Sequence, residues 1–486
     1  MESTMAIIRS IARNAIILTV ASTLEFSMQL LVPIVLVRHL SPEIFAQYRL
    51  IWLLAATLLA FFPAFMPQSL FYFLPRVTGA EKTTVITNVV LYLGLAGIAA
   101  AVIVSAINPL ISGAVRQLSI DSNHMVPVFL AMWILVSLNT TMPVAEGRIV
   151  WQANSDVILS LLRTGLLCFA VLFFGTLLSI VCALLIDACA RVIVLALYIF
   201  TRKARPKFSF CFNLGVRQFR YCLPFAISNS LFLFRAQIDQ WAVAFTTGAS
   251  ALAIFSIGAV LNPLASLIRQ PLYNATAPRL SAAFINCDLH ASRILITGGI
   301  SYTVLILVPA VGGFLLISRE LVELVYTAQY LEALPVMRVY LVGIAISSLS
   351  VSYALPSINK GAFAVKNNAI CLVLSSFFSV ALCLWLGPVG AATGSVLTLL
   401  VSEVWSMRVV AAALDSTMFK LLPVPMIAWV SCATALCFYI AAVAQPVFDR
   451  NVFLVLLSKG VLYVLALLIC AAFFRLLSFL RLSKSA

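Results

Sequence analysis

Polar and charged residues inside long apolar runs are the first candidates for chemistry, because a bilayer makes each of them costly. Asn262, Ser266, Arg269 and Tyr273 stand at i, i+4, i+7 and i+11. That spacing puts them on one face of a helix. Upstream, Ser228, Arg235 and Asp239 fall at i, i+7 and i+11. Cations beside hydroxyl and amide groups suit an anionic ligand that also carries hydroxyls. An arginine fork can give two hydrogen bonds to one phosphate. Arg235 and Asp239 are also four residues apart and can neutralise each other. Arg269 has no acid one turn away, although near a cytoplasmic helix end it could snorkel. Glu25 lies about ten residues into the first apolar run, roughly 15 Å deep at 1.5 Å per residue. An acid at that depth can carry protons or pair with a base from another helix. Asp187 and Arg191 form a further i, i+4 pair that reads as structural. Arg163 is left open between a cavity and an interface.

The scaffold for these groups follows from composition. Of 486 residues, 63% are hydrophobic and 10% charged, against roughly 25% charged in soluble domains. The mean hydropathy is +1.10. This excludes a soluble globular domain, a disordered chain and a fibrous repeat. The expected fold is an all-α integral membrane protein with about 14 transmembrane helices of about 20 residues each. The apolar runs are 15–37, 51–74, 83–115, 125–145, two within 156–200, 221–246, 251–273, 294–318 and 339–356. The uncharged stretch 367–402 is broken at Gly387-Pro388 into two, and 421–444 and 451–474 follow. The expected organisation is a six-helix bundle over 1–201, a basic cytoplasmic linker over 202–220, a second, pseudo-symmetric six-helix bundle over 221–414, and two added helices with a tail over 415–486. Gly390 and Gly394 form a GxxxG, a packing signal.

Net charge is +15, which in a soluble protein would suggest nucleic acid. Here the cations are divided by loop. Twenty Lys and Arg fall on the side of the N-terminus, against six (Arg38, Arg49, Arg116, Arg319, Arg338, Arg450) on the other. The positive-inside rule then puts both termini in the cytoplasm. Run 15–37 is too long for a signal peptide and lacks a small-residue cleavage site, so it reads as a retained first helix. Eleven cysteines occur without a CxxC, and His39, His124 and His290 are far apart. Neither a disulfide framework nor a metal site is expected.

An internal repeat is also visible. A shift of 207 residues lays Ser41–Tyr48 over Gly248–Phe255, and each leads to a Pro-Arg pair, Pro75-Arg76 and Pro278-Arg279, which align only with a four-residue gap. Val37-Arg38-His39-Leu40-Ser41-Pro42-Glu43-Ile44-Phe45-Ala46-Gln47-Tyr48 resembles the R-x-L-x-P-x-x-F-G-x-Y hairpin of the polysaccharide transporter family, with Ala46 in place of the usual glycine. Leu223-Pro224, Ile238-Asp239-Gln240, Ile254-Phe255-Ser256-Ile257 and Ala277-Pro278-Arg279 are similar to the same family. It belongs to the multidrug/oligosaccharidyl-lipid/polysaccharide exporter superfamily. The resemblance implies a multi-pass protein of the bacterial inner membrane. It implies flipping of undecaprenyl-diphosphate-linked oligosaccharide repeat units from the cytoplasmic to the periplasmic leaflet by alternating access. Arg269, Arg235, Asn262, Ser266, Tyr273 and Ser228 would then line the substrate cavity, and Glu25 and Asp239 would serve ion coupling. The expected partners are the lipid-linked oligosaccharide, the bilayer and a polysaccharide polymerase or export proteins, not nucleic acid. Two alternatives stay open. A membrane glycosyltransferase or polymerase would need acidic groups in a large outer loop. Residues 319–338 offer Glu320, Glu323 and Glu332, and no DxD occurs. A multidrug exporter of the same superfamily would carry cations, which the membrane arginines would repel. No Gly-rich phosphate loop is present, so ATP-driven pumping by this chain alone is disfavoured. On the flippase resemblance, no enzyme activity and no cofactor are expected.

Overall fold

The computed structural model describes residues 23–25, 27–28, 31–78, 80–107, 124–201, 209–443 and 452–483. The regular structure among them is helical throughout. Residues Met1–Gln237 and Thr247–Ala253 form one compact unit; Ile238–Thr246 and Ile254–Ala486 form the other.

The first unit contains α1 (31–39), α2 (Pro42–Phe61), α3 (Met66–Phe73), α4 (Ala80–Ile107), α5 (Met125–Leu135), α6 (Leu138–Ala145), α7 (Ile149–Phe173), α8 (Leu177–Phe200) and α9 (Phe212–Arg235). The hairpin quoted above starts α2 sharply. Ser41 caps it by accepting from the Ile44 N–H at 3.4 Å, with Pro42 in the first turn and Glu43 behind it. Arg49, expected in an outer loop, stands half-buried within α2. The predicted span 51–74 is broken. Residues 62–65 form a turn, with Ala64 at φ 46° and Phe65 at φ 60°. Pro63 cannot donate to the helical ladder, and Pro67 starts the next segment. The span 125–145 is likewise interrupted at Val136-Ser137. α9 packs on α2 through Ser230, whose hydroxyl donates to the Ala60 carbonyl at 2.5 Å. At its other end Gln218 accepts from Asn88 on α4 at 3.3 Å. Within the expected basic linker, 202–208 lie outside the described residues, while Arg217 and Arg220 stand on α9.

The second unit contains α10 (Ile238–Thr246), α12 (Pro263–Ile285), α13 (Leu289–Tyr326), α14 (Leu334–Ser347), α15 (Gly361–Leu386), α16 (Pro388–Ala413), α17 (Met418–Leu421), α18 (Val424–Val443) and α19 (Val452–Ser483). α11 (Ala249–Gly258) supplies residues to both units. The expected span 251–273 is bent by 47° between Gly258 and Pro263. Span 221–246 is broken at Ala236-Gln237 into α9 and α10. α13 has 38 residues, about 57 Å at 1.5 Å each, so it outruns a hydrocarbon core of about 30 Å and the predicted 294–318. The break at Gly387-Pro388 falls where expected. Gly387 takes φ 61°, and α15 and α16 form a hairpin. The GxxxG is its seam. A Cβ on Gly390 would lie 1.9 Å from the Leu382 carbonyl oxygen, and one on Gly394 2.6 Å from backbone atoms of Phe378 and Ser379. Buried Leu280, Ile296, Ile300, Val304, Val351 and Met407 belong to one core cluster of this unit. Lys459 and Glu320 pair at 2.7 Å across α19 and α13.

Among the described residues, eleven helices are long and apolar enough to cross a membrane, or twelve counting the bent pair. They correspond to twelve of the fourteen predicted spans. The first predicted span is described only in part, where it runs into α1, and the seventh is the broken one. Trp385 is 87% exposed and Phe173 72%, which suits contact with lipid rather than water.

Candidate functional site

In the second unit the predicted polar stripe sits directly after a break. Asn262 is the residue preceding α12, and Ser266, Arg269 and Tyr273 occupy its first turns. Asn262 and Ser266 are exposed, Arg269 and Tyr273 half-buried. The Ser266 hydroxyl donates to the Pro263 carbonyl of its own helix at 2.7 Å. Tyr273 meets Tyr353 edge-on at 6.1 Å.

Arg269 is the organised member of the stripe. Its Nη2 donates to Ser350 Oγ at 2.8 Å. Ser350 and Ser352 hydroxyls lie 2.9 Å apart. Ser352 donates to both carboxylate oxygens of Glu403, at 3.0 and 3.2 Å. A serine has one O–H to give. With that of Ser352 directed at Glu403, Ser350 must donate to Ser352. The hydrogen bonds therefore run one way, from guanidinium through two hydroxyls to carboxylate, and polarise one another. Glu403 is 8% exposed and stands on α16. It was not singled out from sequence, because the uncharged stretch ends at Ser402, one residue short of it. A lone acid in an otherwise apolar segment was the available signal.

Asp239 is buried on α10. α9 ends at Arg235 before α10 begins, so the four-residue spacing to Arg235 is not one helical turn. The carboxylate instead accepts from the Tyr340 hydroxyl in a short hydrogen bond, from Ser395 at 2.8 Å and from the Gln240 N–H at 2.7 Å.

In the first unit, Ser228 and Arg235 stand half-buried on α9. Glu25 is half-buried and close enough to Asp156 and Arg163 to act on them through its charge. Around them α2, α5, α7 and α8 assemble a polar cluster. Arg191 pairs with Asp187 at 2.9 Å, as its spacing indicated. The Arg191 guanidinium lies 5.2 Å from the Trp133 ring and that of Arg163 5.6 Å from Trp52. The two tryptophans meet edge-on at 5.4 Å. Asp156, not chosen from sequence, accepts from Gln152 in a short hydrogen bond. Among the described residues no cluster of His, Cys, Asp and Glu could hold a metal ion.

Helices long and apolar enough to cross a membrane, with arginines and acids held among them, define a multi-pass membrane protein. Residues 35–335 match the family model described as polysaccharide biosynthesis protein, and the chain belongs to that family. The fold is similar to the lipid II flippase MurJ in its inward closed conformation, at a TM-score of 0.76 and 14% identity over 94% of this chain and 98% of that one. It is also similar to an inward-facing multidrug resistance MATE transporter of the MOP superfamily, at 0.66 and 16% over 81% and 96%. A MOP superfamily transporter from Pyrococcus furiosus follows, at 0.55 and 17% over 83% and 96%. The chain matches no curated protein by sequence.

Proposed function

We propose that this protein flips undecaprenyl-diphosphate-linked oligosaccharide repeat units across the bacterial inner membrane, from cytoplasmic to periplasmic leaflet, with both termini cytoplasmic. The observation that carries the reading is Arg269, half-buried at a broken span and tethered by a single hydroxyl, in a chain of a polysaccharide biosynthesis family. A diphosphate needs cations, which Arg269 offers in the second unit and Arg235 in the first. The sugars need hydroxyl and amide groups, which Asn262, Ser266, Tyr273 and Ser228 offer. Glu25 and Asp239 serve ion coupling, Glu25 within a cluster of charges and Asp239 among hydroxyls. A multidrug exporter of cations is disfavoured by the arginines. Partnership with a polysaccharide polymerase or export proteins follows from the product, a repeat unit delivered outside. The test is the intermediate left in a deletion strain. Single lipid-linked repeat units at the cytoplasmic face support the reading. Units at the periplasmic face indicate a polymerase and contradict it.

A further inference from the structure

Within the first unit, the breaks of two spans and one face of α9 enclose a cavity of about 220 Å³. The α2–α3 break gives Pro63, Ala64 and Phe65, and α3 gives Gln68; the α5–α6 region gives Ser137, Thr140 and Thr141; α9 gives Asn229 and Ser230. No charged side chain lines it. Some of its hydroxyls are spent on carbonyls, Ser230 on Ala60 and Ser137 on Ile134. Others are not. Thr141 is 8% exposed, and neither its hydroxyl nor the amides of Gln68 and Asn229 make a hydrogen bond among the described residues. The Gln68 Oε1 is buried and has no hydrogen-bond partner among the described residues. Buried polar groups are ordinarily paired, and unpaired ones call for a ligand or water. Ala64 and Phe65 hold left-handed backbone there, a strain that proteins keep mainly at functional positions.

The lining selects the chemistry. A bare phosphate or a metal cation would find no counter-charge. An apolar tail would leave two amides and a hydroxyl unpaired. A neutral sugar ring fits both halves of the wall: its hydroxyls each give and take a hydrogen bond, as carboxamides do, and its C–H faces suit Pro63 and Phe65. The volume lies below the roughly 300–1,000 Å³ of sites for drug-sized ligands, so it suits one ring rather than a whole repeat unit. We infer that this cavity takes a single uncharged sugar ring of the headgroup through Gln68, Thr141 and Asn229, and so discriminates against a charged sugar at that position. The inference rests on the flippase reading for its biological meaning but not for its test.

The test is saturation-transfer NMR on the full-length protein in lipid nanodiscs, free of sugar-based detergent, with glucose, N-acetylglucosamine and glucuronate as probes. The expected result is contact to ring protons of at least one neutral sugar, weaker contact to glucuronate, and about tenfold weaker binding in Asn229→Ala and in the near-isosteric Thr141→Val. Equal contacts in the parent and both variants would overturn the assignment, as would no contact with either neutral sugar or equal contact with glucuronate. Monodisperse elution of each variant guards against misfolding. The same proteins are then assayed for flipping. Sugar contact without flipping leaves the site standing and sinks the flippase reading; flipping without sugar contact does the reverse.

Discussion

Replacing Arg269 separates a phosphate-binding arginine from one that merely snorkels. A guanidinium carries five N–H donors. Among the described residues one of them is used, on Ser350 at 2.8 Å, so four remain for a ligand. Arg269→Lys keeps the charge and can keep the Ser350 contact but loses the fork. Losing one hydrogen bond to a charged group costs about 1.5–3 kcal/mol, which is roughly a ten- to 150-fold slower step at 1.36 kcal/mol per decade. Arg269→Ala loses the charge as well and is expected to fall below that range. The assay is flipping of a fluorescent undecaprenyl-diphosphate-linked sugar in proteoliposomes, normalised to folded protein. The predicted order is arginine, then lysine, then alanine. Equal rates for lysine and arginine, with alanine lowering only the yield, would show that Arg269 snorkels. Full activity in the alanine variant would refute the reasoning outright.

Three further outcomes are expected. Glu403→Gln removes the carboxylate that ends the Arg269–Ser350–Ser352 chain, so affinity for the lipid-linked substrate should fall more than abundance; unchanged affinity would make Glu403 a packing residue only. Glu25→Gln should slow transport and flatten its dependence on a proton gradient; parallel responses of parent and variant across a pH series would remove Glu25 from coupling. Gly390→Ala places a methyl 1.9 Å from the Leu382 carbonyl oxygen, so the α15–α16 hairpin must open at a cost of about 1–3 kcal/mol; an unchanged melting temperature would contradict the seam.

The span pattern was legible because lipid selects long apolar runs, and Gly387-Pro388 marked its break in the chain itself. Pro63, Pro67 and Pro263 signal the breaks at 62–65 and after Gly258, whereas those at Val136-Ser137 and Ala236-Gln237 were not legible. Hydropathy averages over about twenty residues, and none of these turns is polar enough to interrupt it. The cost of that averaging was concrete. Arg235 and Asp239 looked like one helical turn, yet they stand on two helices. Arg269 was legible as a cation in an apolar run. Its chain to Glu403 was not, because the four members come from three segments far apart in sequence and meet only through tertiary packing. The same holds for Gln68, Thr141 and Asn229, single polar residues on three elements with no shared spacing.

The central claim is transport of a lipid-linked oligosaccharide. Its most direct measurement is reconstitution of the purified protein into proteoliposomes that carry undecaprenyl-diphosphate-linked repeat units in one leaflet. Leaflet exchange is then followed by accessibility to a membrane-impermeant sugar-modifying enzyme. The account predicts exchange that depends on the protein and falls in Arg269→Ala at equal protein content. Exchange no faster than in protein-free vesicles, under every imposed ion gradient, would contradict it.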